Sequence, residues 1–211
     1  MSYLADILAL LKTDWPENRA VNIVCHGHSV PAGYFETPVV DAMNAYPHLL
    51  RAGLAARFPH AVINVIVTAI GGETSEGGAA RFEQEVLTHR PDVLTIDYGL
   101  NDRSIGLEKA LTAWKRMIEK ALARDIKVIL LTPTGDLTAN LDDPNDPLNQ
   151  HAEQIRSLAR NYRVGLADSF AFIKAVVQAG CPLADLMSQV NHPNRRGHEI
   201  VVGELLKWFA E

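Results

Sequence analysis

The chain of 211 residues contains 47% hydrophobic and 21% charged residues, an ordinary globular composition that excludes intrinsic disorder, collagen-like repeats and coiled coil. Its formal net charge of -5 and its pI near 5.9 provide no basic field that would attract nucleic acid or an anionic membrane. We therefore predict one domain over residues 1–211 that acts on a small molecule and binds no nucleic acid.

Cysteine usage and apolar runs bear on the compartment in which the protein works. Cys25 and Cys181 are isolated in the sequence, which excludes a disulfide framework and C-x-x-C zinc ligation. The N-terminal apolar stretch carries Asp6 and no early Lys or Arg, unlike a secretory signal, and no window of about 18 to 20 apolar residues could span a membrane. We expect a cytoplasmic protein with no membrane partner, and the sequence leaves homo-oligomerisation open.

In chain order, the apolar pattern alternates between helix and strand. An amphipathic helix is predicted from residue 2 to about 13 by the helical spacing of Leu4, Ile7, Leu8 and Leu11. Five β-rich runs follow, at 21–27, 61–69, 92–99, 126–133 and 164–169. The clearest helical period between them is formed by Leu107, Leu111, Trp114, Ile118 and Leu122. This alternation predicts an α/β fold, a three-layer α/β/α doubly wound (flavodoxin-like) parallel sheet of about five strands.

In such a fold, the loops that follow the strands at their carboxyl ends carry the chemistry. The first three of these loops offer Ser29, Gly72 and Asn101. They supply a hydroxyl, a backbone N–H and a side-chain amide, and hydrolytic acyl transfer needs a nucleophile together with donors for the developing oxyanion. A histidine is the expected base. His192 lies in a polar loop before the terminal helix, whose start we place after Asn194.

Four short blocks occur in an order that points to one family: GHS at 27–29, GGETSEGGAARF at 71–82, GLND at 99–102 and NHPN at 191–194. With these blocks, the chain resembles the SGNH (GDSL-type) hydrolases. The resemblance implies that Ser29 is the nucleophile and His192 the general base. It also implies an oxyanion hole made by the N–H groups of Ser29 and Gly72 and by the Asn101 side chain. The implied activity is that of a serine esterase or acylhydrolase, which cleaves small acyl (above all acetyl) esters through an acyl-enzyme without a cofactor or a metal.

The chain departs from the family pattern at two positions. His28 stands where the family usually has Asp, and Gln189 stands three residues before His192, where the family usually has the acid of the triad. That acid holds the imidazole tautomer and stabilises the imidazolium, and its loss in a triad enzyme costs about 10⁴-fold in rate. We expect the side-chain carbonyl of Gln189 to accept the Nδ1 proton in its place. The alternatives are a carboxylate borrowed from Asp185, Asp168 or Glu199, or a backbone carbonyl.

The same loops suggest which residues border the substrate. We expect His28, Tyr34 and Phe35 to form part of the substrate rim, together with the polar loop at 135–149, which could also act as a lid. Asp102 and Arg103 are interpreted as a structural ion pair.

Two other classes of function stay open at this point. His26 and His28 are two residues apart and could ligate zinc, with Asp97, Asp102 or His192 completing the site, in a metal-dependent hydrolase. A catalytically silent domain could instead have kept the fold and bind a ligand. A ligand-binding module does not need both a nucleophile and a base, so we adopt the hypothesis of a serine esterase.

Overall fold

A parallel five-stranded sheet forms the centre of the protein, which we describe from a computed structural model that covers residues 3–210. Its strands are β1 (Val21–Gly27), β2 (Ile63–Val67), β3 (Val93–Asp97), β4 (Lys127–Leu131) and β5 (Gly165–Ala167). They lie in the order β2-β1-β3-β4-β5, and every neighbouring pair is parallel. This is the flavodoxin-like order. The predicted fold class is confirmed, with four strands shorter at their ends than the β-rich runs.

Within residues 3–210, eight α-helices connect and cover the strands. They are α1 (Ala5–Leu11), α2 (Ser29–Ala32), α3 (Tyr46–Arg57), α4 (Ser75–Glu85), α5 (Leu107–Leu122), α6 (Pro147–Tyr162), α7 (Ser169–Gln178) and α8 (Arg195–Leu206). Short 3₁₀ turns cover Ala42–Asn44, Leu87–His89, Asn101–Ser104, Leu183–Leu186 and Lys207–Phe209. The first predicted helix is α1, and residue 2, where we placed its start, lies outside the described residues. Across residues 3–210, no helix has the length and apolarity needed to cross a bilayer.

Each face of the sheet carries its own apolar core, as the predicted three layers require. In β1, Ile23 and Cys25 pack into the core that contains α1, α3, α7 and α8, whereas Val24 packs into the core of α4 and α5 and part of α6. Successive side chains of a strand point to opposite faces, so the apolar run at residues 23–25 within β1 serves both layers.

A small antiparallel hairpin lies beyond the main sheet and was not predicted. It consists of β6 (Met187–Gln189) and β7 (His192–Pro193). Its turn is tied to the loop after β4, because the N–H of Leu137 donates to the carbonyl of Val190 at 2.8 Å. Helix α8 follows directly and begins where expected, with the Asn194 side chain accepting from the N–H of Gly197 at 3.2 Å.

The central strand β3 provides a test of the two-sided core. Leu94 is fully buried, so Leu94→Ala should lower the free energy of unfolding by about 2 to 5 kcal/mol, through lost transfer energy and the cavity left behind. Leu107 at the start of α5 is partly exposed, and Leu107→Ala should cost less than about 1 kcal/mol. Urea denaturation of both variants checks this, and equal losses would contradict the assignment of the core.

Candidate active site

The carboxyl edge of the sheet brings three loops together. Strand β1 lies between β2 and β3, so the segments that follow these strands, carrying Ser29, Gly72 and Asn101, are neighbours. The hairpin returns His192 to the same edge, where its Nε2 lies 2.8 Å from Ser29 Oγ although 163 residues separate them. The structure therefore places a hydroxyl next to an imidazole in the geometry that proton transfer between them requires.

Burial isolates this pair from solvent. The side chains of Ser29 and His192 are both buried, and Ser29 is the first residue of α2, directly after the turn that ends β1. Burial is the main reason why the pKa of His192 is lowered, and it outweighs the backbone hydrogen bond to Phe35, which raises the pKa. The imidazole is therefore neutral near pH 7 and able to accept a proton.

A backbone carbonyl orients His192. The carbonyl oxygen of Phe35 lies 2.8 Å from Nδ1. Because a carbonyl oxygen can only accept, this contact favours the tautomer with the proton on Nδ1, in which Nε2 presents its lone pair to Ser29.

Gln189 does not have the role that we expected. Its Oε1 accepts from the N–H of Thr37 at 2.9 Å, so the atom that faces His192 Nδ1, at 2.9 Å, is the amide nitrogen Nε2. The expectation that the side-chain carbonyl of Gln189 accepts the Nδ1 proton is therefore wrong. The Phe35 carbonyl already fills that place.

The three carboxylates considered as substitutes lie in other contacts. Asp168 caps α7 and is paired with Arg156, and Glu199 is paired with Arg195. Asp185 is exposed in the turn before β6, and its backbone carbonyl accepts from Asn194. None of the three has a contact with His192 among the hydrogen bonds and ion pairs of residues 3–210.

N–H donors lie on each of the three loops at this edge of the sheet. Among the hydrogen bonds of residues 3–210, the backbone N–H groups of Ser29 and Gly72 donate to no acceptor. The Asn101 side-chain nitrogen donates one proton to the carbonyl of Glu73 at 2.9 Å, and its second proton is available. Gly72 and Asn101 line the same open cleft, about 570 Å³ in volume. These donors are the kind that stabilise an oxyanion.

The loop that carries Gly72 is held from behind by an ion pair. Gly72 has a φ of 77°, a conformation that glycine adopts without strain. The next residue, Glu73, accepts from Arg81 at 2.6 Å and from the Tyr98 hydroxyl at 2.8 Å. Arg81 also donates to the carbonyl of Thr68 at 2.5 Å, so both ends of the loop are fixed to α4 and β3.

His26 belongs to this support. Its Nε2 contacts the Tyr98 hydroxyl at 3.1 Å and its Nδ1 contacts the Thr68 hydroxyl at 3.0 Å. Burial lowers the pKa of His26 to about 4, with a further decrease from Arg81. His28 has a different environment, next to Asp97. In the described part of the chain, no three His, Cys, Asp or Glu side chains are grouped so as to hold a metal ion.

The predicted ion pair between Asp102 and Arg103 is wrong. Asp102 is fully buried and accepts from the N–H of Ser75 at 2.8 Å and from Trp114 Nε1 at 2.7 Å. Arg103 instead pairs with Asp136 at 2.6 Å. Asp102 therefore joins the start of α4 to α5, and Arg103 joins the Asn101 turn to the 135–149 loop.

Two of the predicted rim residues differ from expectation. His28 is 1% exposed and lies beneath the serine, so the prediction that it forms part of the rim is wrong. Phe35 contributes its carbonyl, and its ring packs on His198 with the ring centres 5.1 Å apart. Tyr34 lies beside His192 with ring centres 6.2 Å apart. From the 135–149 loop, Pro147 lines the cleft next to Asn101.

A buried serine bonded to a histidine, with free N–H donors at the carboxyl edge of a flavodoxin-like sheet, defines a hydrolase site. Residues 25–200 match the GDSL-like lipase/acylhydrolase family. The chain belongs to this family and is a carboxylic ester hydrolase.

Named relatives share this fold. An acetylxylan esterase from Geobacillus stearothermophilus is 24% identical over 167 residues, which cover 73% of this chain and 75% of that protein. A solved structure of the acetylxylan esterase Axe2 from the same organism has a TM-score of 0.78 at 20% identity and covers 90% of this chain and 94% of that one. A two-domain esterase active on acetylated mannans has a TM-score of 0.80 at 22% identity, covering 99% of this chain and 52% of that one.

The support of the Gly72 loop can be tested through the two acids that contact Arg81. Glu73→Gln removes the charge of a largely buried pair and should lower the free energy of unfolding by about 3 to 5 kcal/mol. Glu85 contacts the same arginine at 3.0 Å but is exposed, so Glu85→Gln should cost less than about 1 kcal/mol. Chemical denaturation measures both, and similar losses would show that the contact with Glu73 is not special.

Proposed function

We propose that this chain hydrolyses acetyl esters by forming an acyl-enzyme on Ser29. The observation that carries the proposal is the 2.8 Å contact between Ser29 Oγ and a His192 Nε2 whose other nitrogen is bonded to a carbonyl. Nucleophilic catalysis by serine needs such an adjacent base with a fixed tautomer.

The residues act in two half-reactions. In the first, His192 Nε2 takes the proton from Ser29 Oγ as this oxygen attacks the ester carbonyl carbon. The oxyanion that forms accepts hydrogen bonds from the N–H groups of Ser29 and Gly72 and from the side-chain amide of Asn101. Collapse of the intermediate breaks the bond to the alcohol oxygen, which leaves with the proton from His192. In the second half-reaction, a water molecule gives a proton to His192 and attacks the acyl carbon. Collapse of this intermediate breaks the bond to Ser29 Oγ, which takes the proton back from His192, and the carboxylic acid is released.

The neutral acceptor behind His192 sets the strength of the base. The Phe35 carbonyl orients the imidazole, but it stabilises the imidazolium less than a carboxylate would, because it carries only a partial charge. We therefore expect modest turnover. In the Axe2 structures, the catalytic mutants include a serine, a histidine and an aspartate three residues before that histidine. Gln189 has that spacing from His192 in this chain.

An acetylated carbohydrate is the substrate class that we propose. The relatives in this fold are described as esterases of acetylxylan and of acetylated mannans. The cleft beside Gly72 and Asn101 is open and is also lined by Arg103, Ser104 and Pro147. Its guanidinium and hydroxyl groups suit the hydroxyl-rich alcohol of a sugar ester.

The decisive experiment follows the covalent intermediate. Ser29→Ala should abolish the hydrolysis of p-nitrophenyl acetate. Mass spectrometry of the unsubstituted protein (the parent) during turnover should show one acetyl group on the peptide that contains Ser29. Ser157 lies on the surface of α6, where it contacts Arg160, and Ser157→Ala is the matched control that should keep full activity. Full activity in Ser29→Ala would refute the nucleophile. Absence of turnover in the parent on any ester, including acetylated xylooligosaccharides, would favour the silent ligand-binding domain.

The lowered pKa of His192 gives a pH dependence with a definite sign. Neutral His192 is the active form, so kcat/KM should fall as the pH decreases through a pKa below 6.5. Gln189→Asp places a carboxylate near Nδ1, which should raise this pKa and move the loss of activity to higher pH. Asp185→Asn removes an exposed carboxylate from the same turn and should leave the profile unchanged. A profile that Gln189→Asp does not shift would contradict this account of His192.

A further inference from the structure

A second histidine contacts the nucleophile from below. His28 Nδ1 lies 3.4 Å from Ser29 Oγ and accepts from the N–H of Val30 at 3.3 Å, so His28 caps α2. On the other side of its ring, Nε2 lies 3.4 Å from Asp97 Oδ1. The side chains of His28 and Asp97 are 1% and 4% exposed, so this contact is excluded from water.

The sheet fixes the place of Asp97. The last residue of β3, Asp97, is in register with Gly27 at the end of β1. A Cβ at position 27 would lie 2.5 Å from the Asp97 carbonyl oxygen, so only glycine allows the strands to approach this closely. The carboxylate is therefore held directly behind the turn that carries His28 and Ser29.

Asp97 is a buried carboxylate whose basic neighbour is His28. Within residues 3–210, no other basic side chain lies at ion-pair distance from Asp97. Its other neighbours include Cys25 and Tyr46, and burial raises the pKa of the Cys25 thiol to about 12 and keeps the pKa of Tyr46 well above its usual value. Both are neutral, and the Tyr46 hydroxyl is a second polar neighbour of Asp97. Because a carboxylate is costly to bury without polar partners, loss of the His28 imidazole leaves Asp97 less well compensated.

The backbone sets the tautomer of His28. Because the N–H of Val30 donates to Nδ1, the ring proton is on Nε2, which faces Asp97 Oδ1 at 3.4 Å without forming a hydrogen bond within residues 3–210. The lone pair of Nδ1 then faces Val30 N–H and Ser29 Oγ. Because His192 Nε2 is closer to Ser29 Oγ, at 2.8 Å, the hydroxyl proton is given to His192, while His28 holds the turn in position.

We propose that His28 and Asp97 are an interdependent positioning pair for the nucleophile, which together replace the single acidic residue that usually precedes the serine in this family. His28 caps α2 beside Ser29, and Asp97 orients His28. An acid at position 28 is compatible with the site only when the charge at position 97 is removed. This inference rests on the proposed role of Ser29.

A double-mutant cycle tests the pair. His28→Asp places two carboxylates against each other in a dry site, and the resulting displacement of Ser29 should lower kcat by about 100-fold with KM nearly unchanged. Asp97→Asn alone, which keeps an acceptor for Nε2, should lower kcat by about tenfold or less. In the His28→Asp background, the same Asp97→Asn should instead raise kcat by at least about tenfold. The expected result is that Asp97→Asn lowers kcat or leaves it unchanged when His28 is present, but raises kcat in the His28→Asp background.

Three measurements, the labelling rate of Ser29, kcat and the unfolding temperature, distinguish a positioning role of the pair from a purely structural one. The rate at which a fluorophosphonate labels Ser29 should follow kcat through the cycle, measured well below the unfolding temperature of each variant. A purely structural pair would change the unfolding temperature but neither kcat nor labelling of the folded protein. If the parent neither hydrolyses esters nor is labelled, the proposed function fails, and coupling in unfolding temperature still tests the pair.

An exposed pair of the same residue types provides the control. His60 Nδ1 lies 2.7 Å from Asp14 Oδ1, and both side chains are mostly exposed. His60→Asp and Asp14→Asn should combine without coupling. For positions 28 and 97, effects that simply multiply, or full activity in His28→Asp, would overturn the proposal. Should His28→Asp fail to fold, His28→Asn takes its place. An amide at this position does not repel Asp97, so in that background Asp97→Asn should change kcat less than it does alone, and effects that simply multiply would overturn the proposal equally.

Discussion

The hydrogen bond between His192 Nδ1 and the Phe35 carbonyl is the interaction on which the site depends. It makes Nε2 the acceptor for Ser29, and it joins the C-terminal hairpin to the segment after α2. That segment is itself held by the bridge between Tyr34 and Val40 and by the bond from Thr37 N–H to Gln189. The base is therefore oriented by the path of the backbone, which the hairpin and the segment fix together.

Behind this bond, the site is built on buried polar contacts at the carboxyl edge of the sheet. Glu73 and Arg81 hold the Gly72 loop, and Asp102 holds the start of α4. His28 and Asp97 lie beneath the serine. Each group is costly to bury alone and is stabilised by its partner, which restricts the site to one arrangement. The donors for an oxyanion are thus positioned before any substrate binds.

The sequence predicted the fold and the residues at the strand ends because both follow from local patterns. Short apolar runs with helices between them predict a parallel sheet, and parallel strands place Ser29, Gly72 and Asn101 at one edge. The partners of His192 and Asp102 could not be predicted. A backbone carbonyl leaves no signature in a side-chain sequence, and whether Asp102 bonds its neighbour Arg103 or the distant Trp114 depends on tertiary packing. The pairing of Glu73 with Arg81 had no local signal either, because eight residues separate them and helical side chains pair at spacings of three or four.

Because the acceptor behind His192 is a main-chain atom, a point substitution at position 35 does not delete it. An acid in this role is lost by a single codon change, whereas the Phe35 carbonyl is displaced only when the chain takes another path. An insertion or deletion between residues 33 and 41 would do this. The orientation of His192 is therefore sensitive to the length of this loop and insensitive to which side chain position 35 carries, although the ring of Phe35 also packs on His198.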